Sequence, residues 1–233
     1  MWRTVFFNFL LIGMISCEKT LSGKEIVAQS IEAHGFSTPL EQLSYKKKTQ
    51  LFNADGSLEK TLLQNHSVDW NPFAYTIEQN TATGNQISHF QNGKYFLSTE
   101  GEEDHSTEGS AKAQEAIRTA YYVFWQPAKL NDSKAVMKYL GQRKIQGEKL
   151  VQAVQVSYPR SDSSDEWIFY FDLKTHLNLG YSVRHNGRWS LIVNDSFHLD
   201  HQPILAKKRR SFFIDSLKNT TTLRAAYTYT LQP

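Results

Sequence analysis

The sequence predicts a mainly β (α+β) fold: a strongly curved antiparallel sheet, or unclosed β-barrel, of about ten strands with two helices packed in or over its concave face. Three observations carry this expectation. From Leu43 onward apolar residues recur at every second position rather than at helical spacing. Turn dipeptides, among them Asn92-Gly93 and Asn186-Gly187, join successive alternating runs directly, which makes hairpins and not the strand-helix-strand units of a parallel sheet. Only two segments, one before Leu43 and one near Ser110, have the spacing and composition of helices.

The first helix opens at Ser22-Gly23-Lys24-Glu25, which has the spacing of a capping box. Ile26, Val27, Ser30 and Ile31 follow at helical period, Gly35 suits a left-handed residue past the last turn, and Pro39 confirms the break, so the helix ends near His34. At that end His34 reads as a favourable charge on the helix dipole rather than as a base. Leu43, Tyr45, Thr49 and Leu51 share one face of the first strand. Asn53-Ala54-Asp55-Gly56 turns it into a partner running from about Leu58 to Trp70, and Asn71-Pro72 breaks the pairing. Tyr75 and Ile77 mark the next strand, and Ile87 to Gln91 pairs with Lys94 to Ser98 around Asn92-Gly93.

Glu100 to Gly109 reads as an exposed polar loop, and Ser110 to Ala120, rich in alanine with Ile117 and Ala120 on one face, as the second helix. Tyr121, Tyr122, Phe124 and Trp125 follow before Pro127, an aromatic group that must be buried or must line something. Further on, Leu150, Val154, Val156 and Tyr158 alternate, as do Trp167, Phe169 and Phe171. After the turn Asp172-Leu173-Lys174-Thr175 the alternation resumes with Leu177, Leu179, Tyr181 and Val183, then passes through Asn186-Gly187 into Trp189, Leu191 and Val193. The last strands run near Arg209 to Ile214 and from Leu223 to Leu231, where Leu223, Ala225, Tyr227, Tyr229 and Leu231 line one face.

Residues 1–16 read as a secretion signal: Arg3 in a short leading region, then an apolar run from Val5 to Ile15, well short of the roughly 20 residues that cross a bilayer. Cys17, the only cysteine in the chain, follows at once and is succeeded by polar residues. Gly13-Met14-Ile15-Ser16-Cys17 resembles the lipobox of bacterial lipoproteins, although Met14 stands where that motif usually has leucine. The resemblance implies cleavage after Ser16, lipid such as palmitate on Cys17, and a protein held to a membrane of the bacterial envelope, the outer membrane before the inner. The expected organisation is a signal peptide over 1–16, a lipid-anchored tether over 17–21 and a single domain over 22–233.

At 40% hydrophobic and 13% aromatic the chain can bury a sizeable core, and a net charge of +3 is too mild for a nucleic-acid partner. The expectation is a monomer.

Here the pattern reaches a family. A signal with a lipobox, a helix entering a long meander, and the run Trp167-Ile168-Phe169-Tyr170-Phe171-Asp172-Leu173-Lys174-Thr175 resemble the lipoprotein-carrier (Lol-like) superfamily, whose members typically carry such a phenylalanine-aspartate-x-lysine-threonine turn. Within it the chain is most similar to a group of uncharacterised small envelope lipoproteins, loosely from Ser22 onward. The resemblance implies an unclosed barrel, covered by helices, with an apolar cavity for acyl chains or another hydrophobic small molecule. A concave aromatic face is filled either by the protein's own helices or by a ligand. The candidate lining residues are Trp70, Tyr95, Phe124, Trp125, Phe169, Tyr181, Trp189 and Tyr229.

Catalytic signatures are lacking: there is no G-x-S-x-G, no H-E-x-x-H, no P-loop and no dinucleotide fingerprint, and no cofactor is expected. In His198-Leu199-Asp200-His201 a strand places His198 and Asp200 on one face and His201 on the other, which suits a polar strand end before Pro203 better than a metal site. Glu102, Glu103, Asp104 and His105 read as a solvated loop, so no metal is expected. Lys207-Lys208-Arg209-Arg210 suits a charged strand edge better than a contact with anionic headgroups. Three function classes remain open: an envelope lipoprotein that binds a hydrophobic ligand, a hydrolase of envelope material whose scattered site leaves no motif, and a structural or partner-binding lipoprotein with a filled core.

Overall fold

The computed structural model of the chain describes residues 21–37, 40–145, 147, 149–158, 165–215 and 220–233. The predicted signal segment, Cys17 and Pro39 lie outside the described residues. Helix α1 (Gly23–Ala33) starts at the predicted box: the Glu25 N–H donates to the Ser22 hydroxyl at 3.2 Å, and the Ser22 N–H donates to the Glu25 carboxylate at 2.7 Å. His34 is its C-cap, and Gly35 turns the chain away at φ 74°.

The strands that follow are β1 (Gln42–Phe52), β2 (Leu58–Trp70), β3 (Phe73–Thr81), β4 (Gly84–Gln91), β5 (Lys94–Thr99) and β6 (Glu102–Asp104). After helix α2 (Thr107–Phe124) and a short 3-10 turn come β7 (Val136–Ile145), β8 (Lys149–Ser157), β9 (Glu166–Asp172), β10 (Asn178–His185), β11 (Arg188–His198), β12 (Leu205–Asp215) and β13 (Thr220–Gln232). All of them lie in one antiparallel sheet of order β6-β5-β4-β3-β2-β1-β13-β12-β11-β10-β9-β8-β7. Two meanders are thus joined through β1 and β13. β6 and β7 are the free edges, so the curved sheet stays unclosed, and α2 carries the chain from one edge to the other.

The strand number exceeds the prediction because the two edges escape it. β6 lies in the acidic stretch read as a loop, and β7 carries Lys138, Arg143 and Lys144 with a register shift between Tyr139 and Gln142. Asn71-Pro72 is a tight turn within a continuous hairpin, with Trp70 paired to Phe73 across it. α2 is longer than predicted at both ends: Ser106 accepts the Gly109 N–H at 3.0 Å as its N-cap, and the aromatic group through Phe124 forms its last turn.

The core on the concave face has two parts. Ile26 and Val27 of α1 pack with Leu130 against Val154, Val156, Phe169, Phe171, Tyr181 and Ile192. Each such aliphatic side chain removed from water contributes about 1.5–3 kcal/mol. Ile117, Phe124 and Trp125 pack against Leu43, Tyr45, Val68, Tyr75, Ile77, Leu205 and Tyr229. Leu179 and Tyr181 do not share a face as simple alternation implies, because the pairing of β10 with β9 shifts between Asn178 and Gly180. Leu179 therefore joins Ala153, Tyr170, Leu191 and Val193 on the opposite side of the sheet. Gly180, at φ 137°, leaves no room for a Cβ against the Ile192 carbonyl.

Candidate ligand-binding site

Between α2 and the concave sheet lies a cavity of about 730 Å³. One wall is α2, through Ala116, Thr119, Ala120, Val123 and Phe124. The opposite wall is built by inward positions of strands from both meanders: Tyr45 and Ile77 from one, and Trp167, Tyr181, Val183, Ile192, Tyr227 and Tyr229 from the other. Its aromatic surface is locked by packing, with Tyr45 stacked on Phe124 at 4.0 Å between ring centroids and Phe124 at 4.9 Å from Tyr229.

The wall is not purely apolar. Tyr45 and Tyr75 hydroxyls are 2.7 Å apart, and the Tyr75 hydroxyl lies 3.1 Å from Nδ1 of His66. Burial, then the Lys47 charge, hold His66 down to about 3, so its imidazole is neutral; its Nε2 has no partner although the residue is only 2% exposed. Lys47, half-buried on β1, is lowered to about 8 by burial and then by the Arg209 charge.

Arg209 is itself 2% exposed. Its Nε–H donates to Asn194 Oδ1 at 2.8 Å, and Nη1 donates to the Val123 carbonyl at 3.2 Å. That carbonyl belongs to the last turn of α2, where carbonyls lack helical partners and a cation is favoured, so Arg209 fixes the helix over the sheet. The basic run is therefore not a strand edge: β12 lies inside the sheet between β11 and β13, and Arg209 faces the cavity.

Asn194 continues this contact inward. Its Nδ2–H donates to the Asn178 carbonyl at 2.8 Å, and the Asn178 N–H donates to Nε2 of His34 at 3.0 Å. His34 Nδ1 lies 2.6 Å from the Ile204 carbonyl, to which it donates. Burial pushes His34 down to about 4 despite that backbone bond. The residue is a neutral strut between α1 and the sheet, not a charge on the helix dipole.

Of the eight predicted lining residues, Phe124, Tyr181 and Tyr229 border the cavity. Phe169 is buried beneath α1, 5.4 Å from Tyr181. Trp70 meets Trp125 edge-on at 4.8 Å, and Tyr95 packs on Phe90 at 4.6 Å; these rings support α2 from the side. Trp189 lies apart, with the Arg184 guanidinium 5.9 Å from its ring. The polar members Lys47, His66 and Arg209 were not predicted. His198 Nε2 and His201 Nδ1 meet the carbonyls of Tyr229 and Pro203, and among the described residues no three potential ligands gather to hold a metal. Ser190 and Ser211 border the cavity, but among the described residues neither hydroxyl is hydrogen-bonded to a histidine.

The turn at Phe171-Asp172-Leu173-Lys174-Thr175 is fixed by one carboxylate: Asp172 Oδ1 accepts the N–H groups of Lys174 and Thr175, each at 2.9 Å, and Lys149 pairs with Oδ2 at 3.1 Å. The model of DUF6503, a family of unknown function, matches residues 3–192. The chain belongs to this family. No curated protein matches it. Among solved structures it is similar to a DUF1329 family protein from Desulfovibrio piger, at 9% identity over 91% of this chain and 92% of that one, with a TM-score of 0.53. A domain from Vibrio parahaemolyticus, described as an outer membrane lipoprotein-sorting protein, gives 12% identity, 89% of each chain and a TM-score of 0.52. A LolA superfamily protein from Nitrosomonas europaea gives 8% identity, 92% and 93% coverage, and a TM-score of 0.53. This chain shares the half-open antiparallel sheet of these three structures: its fold is LolA-like.

Proposed function

We propose that the chain is an envelope lipoprotein, tethered through lipid on Cys17, that binds a hydrophobic small molecule or acyl chain between α2 and the concave sheet. The observation that carries this reading is the cavity of about 730 Å³, whose wall is built from aromatic and aliphatic side chains with polar and cationic ones among them. Its volume lies within the roughly 300–1,000 Å³ usual for small-molecule sites. The sorting role in the description of the Vibrio protein belongs to that protein, and fold alone does not transfer it. In this reading residues 1–16 are removed, 17–21 form the tether, and residues 22–233 act as one monomeric binding domain. A tethered protein holds or receives its ligand rather than ferrying it.

The test is native mass spectrometry with lipid extraction on protein purified from residue 18 onward. An apolar molecule at near-unit stoichiometry is expected. A clean apo mass together with no uptake of a fluorescent fatty acid overturns the reading. For the tether, labelled palmitate is expected in the wild type and lost in Cys17→Ser.

A further inference from the structure

We propose that the ligand is an anionic amphiphile whose carboxylate or phosphate seats against Lys47 and Arg209, with its apolar body lying along the aromatic wall. This rests on the cavity being a binding site and adds the charge of what enters it.

The two cations reach the cavity from opposite sides of β13. Lys47 on β1 is paired in register with Tyr229, yet its ammonium lies over the Tyr227 ring, 5.8 Å from the centroid. Arg209 on β12 is paired with Tyr227, yet its guanidinium lies 5.8 Å from the centroid of Tyr229. Both side chains thus lean diagonally across the same two tyrosines, which brings the charges toward each other. Among the described residues neither cation is paired with a carboxylate, and no acceptor meets Nη2 of Arg209. Two buried or half-buried like charges, unpaired, are costly and are retained where something of opposite sign completes them.

The carboxylates that border the cavity are engaged by groups other than Lys47 and Arg209. Asp165 lies 2.7 Å from His185, and Glu115, exposed on α2, accepts from the Thr119 hydroxyl at 3.0 Å. Arg224 adds a third cation on the same wall. His66 provides an independent sign of a missing partner. Its ring stacks on Tyr45, the neighbour of Lys47 on the same face of β1, and its unpartnered Nε2 belongs to a residue that borders the cavity. An anionic oxygen is the group that answers all three: it accepts from the ammonium, from the guanidinium and from the Nε2–H tautomer of a neutral imidazole.

The experiment is a fluorescence titration of the full-length protein, stripped of lipid on a lipophilic resin, with cis-parinaric acid and with its methyl ester. The acid is expected to bind about tenfold tighter than the ester, the gain of one charge-assisted contact. Lys47→Met is expected to remove most of that preference while leaving the ester within about twofold, and Lys47→Arg to restore it. Circular dichroism checks that each variant keeps its fold. Equal binding of acid and ester overturns the inference and leaves the cavity reading intact. Failure of both probes to bind removes both. Displacement of the acid by millimolar inorganic phosphate, with no binding of the ester, identifies a free-anion seat and overturns the amphiphile.

Discussion

The imidazole of His34 accepts the backbone N–H of Asn178 on Nε2 at 3.0 Å while its other nitrogen faces the Ile204 carbonyl at 2.6 Å. The first contact requires the neutral ring, because a protonated Nε2 cannot accept; the second holds in either state, and burial decides for the neutral one.

His34 and His66 therefore set the acid side of the stability curve. The unfolded chain binds protons on these residues near pH 6.5, which the native state refuses until about 4 and about 3. Stability is complete above pH 6.5 and falls as the pH drops toward those values, by up to about 1.4 kcal/mol per pH unit for each histidine. Urea unfolding of His34→Gln, whose amide can donate to Ile204 and accept from Asn178, should show a shallower loss between about pH 6 and pH 5 than the wild type. An unchanged slope rules out His34 as a source.

Asn194→Ala should destabilise the protein by about 2 kcal/mol, since it leaves the buried Arg209 Nε–H and the Asn178 carbonyl without a shared partner. Guanidinium unfolding measures this. A change near zero means that the Asn194 bridge contributes nothing.

Asp172→Ala should cost about 1–3 kcal/mol by releasing two turn amides. Burial raises the affinity of this carboxyl for a proton, but the Thr175 and Lys174 N–H groups and the Lys149 ammonium outweigh it and hold the group well below the usual carboxylate range. Its stabilisation is present above that range and is lost as the pH falls through it. Asp172→Asn, which keeps an acceptor, should recover part of the loss in thermal unfolding.

Ala116→Trp should block the cavity from the exposed face of α2 without disturbing the buried Ala113 and Ile117 face. Fatty-acid uptake is expected to disappear while the melting temperature changes by less than about 4 °C. Retained uptake places the ligand elsewhere.

Interior strands were legible because each must bury one face and meet a partner on both sides, which imposes alternation and marks the turns, as at Asn92-Gly93. β6 and β7 were obscure for the opposite reason. An edge is shielded by charge and irregularity, and these strands carry Glu102, Glu103 and Asp104, or Lys138, Arg143 and Lys144. The site was less legible than the fold. An aromatic residue at period two reads the same whether it lies in a packed core, as Phe169 does, or at a cavity wall, as Tyr181 does. Lys47 and Arg209 sit within basic runs that look solvated; period two puts Lys47 on the face of Tyr45 and Thr49, but only the packed sheet shows that one member of each run lines a cavity.

The union of β1 with β13 places the seam of the sheet between its first and last strands. A chain synthesised as far as β12 already contains the first meander and all but the last strand of the second, yet β1 and β12 each present a raw edge where β13 belongs. Local hairpins can form early, but the central ladder is the most distant pairing in sequence and closes late. A nonsense codon upstream of β13 therefore yields no shortened domain; it yields two tied half-sheets with sticky margins, each able to recruit a foreign strand.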